Sequence, residues 1–71
     1  MAQNRRLETD QEFNEAMDKQ ALIRIFKDDH IIDSGVVITR FDDQTIVVQS
    51  GVSGLFYYPR TACEFFETKQ R

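Results

Sequence analysis

The sequence predicts a mainly β domain in which a short amino-terminal helix precedes a small, strongly bent antiparallel sheet of five strands. Three observations predict it. Thr9 and Glu12 have the spacing of a helix-capping box, just ahead of Phe13, Ala16 and Met17 at helical spacing. From Leu22 onward the composition turns to β-branched and aromatic residues in short runs. Polar or Gly-containing breaks separate those runs, and five short strands joined mostly by tight turns favour a small barrel over a sandwich.

Residues 1–7 have no apolar periodicity and read as a flexible tail with Arg5 and Arg6 as its charges. The helix is expected over residues 8–20. Asp10, Glu12 and Glu15 near its start suit the positive end of the helix dipole. Its apolar stripe is narrow, so it should lie against another layer rather than stand alone. The barrel is expected over residues 22–67. Its first strand runs from about Leu22 to Lys27 and turns at Asp28-Asp29. The second runs from about His30 to Arg40, and Gly35 in its middle marks a bend that lets one long strand serve both halves of a barrel. A turn at Asp42-Asp43 leads to the third, Gln44 to Gln49, and the loop Ser50-Gly51-Val52-Ser53 leads to the fourth, Gly54 to Tyr58, which Pro59 stops. The fifth is Ala62 to Glu67, and residues 68–71 read as a frayed tail.

At 71 residues the chain makes one domain with few buried positions, so a staple or a partner is expected. Cys63 is the sole cysteine, which excludes an intrachain disulfide, and one cysteine with one histidine is too few for a zinc cage. Oligomerisation is the remaining candidate. The edge strands, rich in Leu55, Phe56, Tyr57, Phe65 and Phe66, would be adhesive if exposed, and pairing between subunits would cover them. Arg5-Arg6 is followed by Leu7-Glu8-Thr9-Asp10 rather than an apolar run, and no segment reaches membrane-spanning length, which implies a cytoplasmic protein. Acidic residues outnumber basic ones by 12 to 9, with a pI near 4.9, unlike the usual basic nucleic-acid domain. Net charge describes the long-range field, however, and local aromatic platforms can still take a strand.

The helix and the five strands resemble the bacterial Sm-like RNA chaperones of the Hfq family over roughly Leu7 to Glu67. The match is best from Phe41 to Tyr57, carried by Phe41-Asp42, the apolar run after it, Val52-Ser53 and Leu55-Phe56-Tyr57. Gly35 is similar to the glycine of the family's second strand, and between Gly35 and Phe41 the chain has one extra residue, as a bulge would supply. The resemblance implies an Sm-like (SH3-like) open barrel and a homo-oligomeric ring, commonly a hexamer, with a pentamer or heptamer open as well. In such a ring the fourth strand of one subunit pairs with the fifth of the next. It also implies single-stranded RNA as partner. On the pore face the family's site falls on Asp43, Gln44, Tyr57 and Tyr58, but Gln44 stands where the family has an aromatic, and Tyr58-Pro59 where it has lysine and histidine. On the opposite face Phe26 aligns with an adenine-stacking aromatic, surrounded by His30, Ile31, Ser34 and Cys63.

Read on their own chemistry, these residues have plainer uses. Phe26 fits the buried half of a strand, and Tyr57 and Tyr58 suit subunit packing. Asp28, Asp29, His30 and Asp33 are turn-forming and lack the spacing of a calcium loop, so no metal is expected. Cys63 reads as a small buried residue with no base linked to it, and neither enzyme activity nor a cofactor is expected. Arg24, Lys27, Arg40 and Arg60 are scattered along the chain. Two functions follow: an RNA chaperone or scaffold preferring A-rich segments through Phe26, or an oligomeric interaction or structural module, such as a phage or mobile element carries, that has lost RNA binding.

Overall fold

The computed structural model describes residues 5–51 and 54–68. The elements are β1 (Arg5–Leu7), α1 (Asp10–Asp18), β2 (Ile23–Lys27), β3 (His30–Phe41), β4 (Thr45–Ser50), β5 (Gly54–Pro59) and β6 (Glu64–Glu67), and the sheet order is β1-β6-β2-β3-β4-β5, antiparallel throughout. The five expected strands are β2 to β6. A sixth, β1, arises from the stretch expected to be a tail. Its three residues pair with β6, Arg5 opposite Glu67 and Leu7 opposite Phe65, while Leu7 drops into the core. The sheet is unclosed, with β1 and β5 at its ends. Val52 and Ser53 of the expected loop, and the tail residues 1–4 and 69–71, lie outside the described residues.

α1 begins as its capping box dictates. The Glu12 amide donates to Thr9 Oγ1 at 3.1 Å, while the Glu12 carboxylate accepts from the amides of Thr9 and Glu8 at 3.1 and 2.7 Å. Those amides hold the Glu12 carboxyl below its usual range. The helix ends in a Schellman turn: Gln20 adopts φ 52°, its amide donates to the Met17 carbonyl, and the Ala21 amide reaches back to the Ala16 carbonyl. Phe13 and Ala16 are the buried face. The Phe13 ring sits 5.6 Å from both Phe41 and Phe65, and Arg60 lies over it at 4.8 Å while pairing with Asp10 at 2.6 Å. That guanidinium therefore clamps the helix to the sheet.

The bend of the sheet comes from β3. Over its twelve residues it pairs first with β2 and then with β4, and three times it has a residue to which its neighbour offers no partner: Ile32, Gly35 and Thr39. Each such bulge adds local twist. Gly35 holds φ +70°, a left-handed value that costs glycine nothing. The Thr39 bulge lies where β3 passes along β4, between Ile38 and Arg40. Turns follow local chemistry as well. Asp28 and Asp29, at φ 53° and 66°, form a two-residue hairpin turn. Asp42 accepts from the amides of Gln44 and Thr45 at 2.8 Å each, which lowers its carboxyl pKa.

The core gathers Leu7, Phe13, Ala16, Ile23, Ile25, Val36, Ile38, Ile46, Val48, Cys63 and Phe65. Across the interior, the Tyr58 hydroxyl on β5 donates to Asp33 Oδ2 on β3 at 2.9 Å, joining the far edge of the sheet to its middle.

Candidate nucleic-acid interface

Directly opposed residues of antiparallel strands project to one face of the sheet. The register therefore defines two rows on the face away from α1: Arg6, Phe66, Arg24 and Ser34 in one, and Glu64, Phe26 and Ile31 in the next. Phe26 and Phe66 meet edge to face, with ring centroids 5.3 Å apart, and both remain partly exposed. The bulge at Ile32 restores the alternation that lets Ile31 and Ser34 share this face. Ile32 itself is exposed beside Ile31.

Three of the five residues expected on the adenine-type face, Phe26, Ile31 and Ser34, are thus brought together. His30 is not, because it opposes Lys27, one step along the strand and on the other side of the pleat. Cys63 is not either. It is 6 % exposed and belongs to the core, and burial pushes its thiol up, away from the reactive thiolate. Asp28, Asp29, His30 and Asp33 do not converge: among the described residues no three His, Cys, Asp or Glu side chains are grouped to hold a metal ion, and Asp33 points inward to Tyr58.

The four residues expected on the pore face do converge. Asp43, Gln44, Tyr57 and Tyr58 line one open concavity together with Thr45, Pro59 and Thr61. Tyr58 spends its hydroxyl on Asp33, and burial followed by that carboxylate pushes its pKa up to about 12. Tyr57 is the free aromatic. It also borders a second concavity with Arg40, which lies in the cross-strand row Arg40, Val47, Tyr57.

Cations near α1 are spent on carboxylates. Arg5 pairs with Glu15 at 3.1 Å and with Glu12 and Glu67 at 3.8 Å; Lys19 pairs with Glu67, and Arg6 with Glu8. Among the described residues Arg24, Lys27 and Arg40 form no ion pair; Arg24 shares a row with the half-buried Phe66 and Arg40 one with the exposed Tyr57. Reading the residues one by one missed this pairing of cation and ring. Its signal is the two-residue spacing of Arg24 and Phe26, which carries meaning once both are known to lie on one strand.

At the edges, β5 is unpaired on its outer side and presents Leu55, Phe56 and Tyr57 at 54, 45 and 60 % exposure. Phe65, expected in a subunit contact, is instead 1 % exposed, because its strand turns it toward Leu7, Ile25 and Phe13. Phe66 stays half-buried against Phe26. The outer edge of β6, the expected receiver of a neighbour's strand, has β1 along it.

No protein-family model, no curated protein and no solved structure matches the chain. Among the described residues no helix is long and apolar enough to cross a membrane.

Proposed function

We propose that this chain is a divergent Sm-like protein of the Hfq type, an oligomer that binds single-stranded, A-rich RNA and brings RNA segments together without chemistry of its own. The observation that carries this reading is the face where Phe26, packed on Phe66, stands with Ile31, Ser34 and the unpaired Arg24. Aromatic rings take bases of any sequence through their π-faces, and a guanidinium beside them meets the phosphates. The sheet order supports the reading too, since β6-β2-β3-β4-β5 behind a helix is the arrangement an open Sm barrel needs. Assembly is a ring, with the apolar, uncharged β5 as the adhesive edge.

A second reading, an oligomeric interaction module without RNA binding, is favoured by one observation: the carboxylates around α1 neutralise Arg5, Arg6, Lys19 and Arg60 within the subunit. Fluorescence anisotropy with 18-nucleotide oligoadenylate and oligouridylate, alongside native mass spectrometry, separates the two. RNA binding predicts preference for adenylate and a loss in Phe26→Ala of about 5- to 150-fold for each subunit engaged, the equivalent of ~1–3 kcal/mol of stacking per base. An oligomer that ignores both oligonucleotides sinks the RNA reading and leaves the module.

A further inference from the structure

We propose that Arg24 is the phosphate-binding residue of the Phe26 face, so that a base stacked on Phe26 has its backbone anchored one cross-strand row away. The inference rests on the reading that this face binds RNA. Arg24 lies two residues before Phe26 on β2, a separation of about 6.7 Å along an extended strand. Phe66 and Ser34 flank it in its own row. Its Nε is buried and, among the described residues, has no hydrogen-bond partner. The side chain is always charged and donor-only, and since Nε is closed to solvent, it is the terminal guanidinium nitrogens that would meet a phosphate.

The surroundings make the unpaired guanidinium informative. Carboxylates outnumber cations by 12 to 9, and Arg5, Arg6, Lys19 and Arg60 each hold at least one, yet Arg24 pairs with none among the described residues. A planar guanidinium with its fork unfilled matches phosphate oxygens, and the Ser34 hydroxyl opposite supplies a further donor. Glu64, directly opposite Phe26, repels a phosphodiester on its own side. The backbone of a bound strand therefore leaves Phe26 toward Arg24 and Ser34, which sets the direction of the strand across the sheet.

The test is the salt dependence of oligoadenylate binding by the full chain and by Arg24→Gln, Arg24→Lys and Phe26→Ala. Each phosphate contact on a single strand contributes about 0.7 to the slope of log K against log salt concentration. Arg24→Gln should weaken binding and flatten that slope by about 0.7 for every subunit the oligonucleotide engages. Phe26→Ala should weaken binding with the slope retained, and Arg24→Lys should keep the slope but bind more weakly than the parent, because the fork is lost. Melting curves and native masses verify that each variant is folded and assembled. Should Arg24→Gln fail to fold, the Lys variant decides: affinity equal to the parent's overturns the assignment. A parental slope in Arg24→Gln overturns it as well while sparing the RNA reading. Absence of oligoadenylate binding by the parent chain overturns both.

Discussion

Tyr58→Phe removes a single oxygen and tests how β5 is held to the rest of the sheet. That hydroxyl donates to Asp33 Oδ2 at 2.9 Å, whereas Oδ1 of the same carboxylate accepts the Ser34 amide and keeps doing so in the variant. The elevation of the Tyr58 pKa from 10.0 to about 12 corresponds to at most about 2.7 kcal/mol, with burial as its largest cause and the Asp33 hydrogen bond second. Water reaches the partly exposed pair and screens it, so the expected loss is about 1 kcal/mol at neutral pH. A domain of this size has roughly 4–10 kcal/mol in total, and the loss should lower Tm by roughly 4–8 °C. Because the folded-state pKa is raised, the contribution is fully present below pH 10 and is lost as pH rises through 12. Urea titrations of both proteins from pH 7 to 11.5 should therefore give parallel curves with a constant gap up to about pH 9.5, closing above it. Equal midpoints at pH 7, or a gap that persists undiminished at pH 11.5, would refute the reasoning.

Two further substitutions test how the helix is anchored. Gln20 occupies the left-handed position of the Schellman turn at φ 52°, so Gln20→Gly should stabilise the chain by about 0.5–1 kcal/mol, seen as a higher urea midpoint at constant m-value; a lower midpoint would show that the side chain contributes more than its backbone strain costs. Arg60→Lys keeps the charge beside Asp10 but gives up the guanidinium plane over Phe13 and the hydrogen bond to the Asp42 carbonyl. It should cost about 1–2 kcal/mol and speed unfolding in stopped-flow traces, and unchanged kinetics would remove the clamp.

Features with local causes were legible in the sequence. The Thr9–Glu12 box needs only its own first turn, Asp42 only the two amides after it, and Gly35 announces a bend because a side chain there would be strained. β1 was not legible: Arg5-Arg6-Leu7 has no alternation to read, and its strand exists because β6, some sixty residues away, offers an edge and the core offers a place for Leu7. The site divided in the same way. Phe26 stands out as an aromatic on a strand, but which neighbours share its face depends on the bulge at Ile32, which, unlike that at Gly35, has no glycine to reveal it. Cys63 had two readings, a buried residue from its chemistry and a surface contact from resemblance, and its burial agrees with the chemistry.

If the proposed ring forms, β1 and the β5 of a neighbouring subunit compete for one edge, that of β6. Being tethered, β1 meets β6 at an effective concentration in the millimolar range, whereas β5 of another chain arrives at the bulk concentration, about a thousandfold lower in a micromolar solution. A ring closed through β6 therefore forms only where its contact outweighs that advantage, or where the Arg5 ion pairs that help hold β1 are loosened by salt. In the proposed ring, three residues with one buried leucine and one triply paired arginine would thus set a concentration threshold for closure.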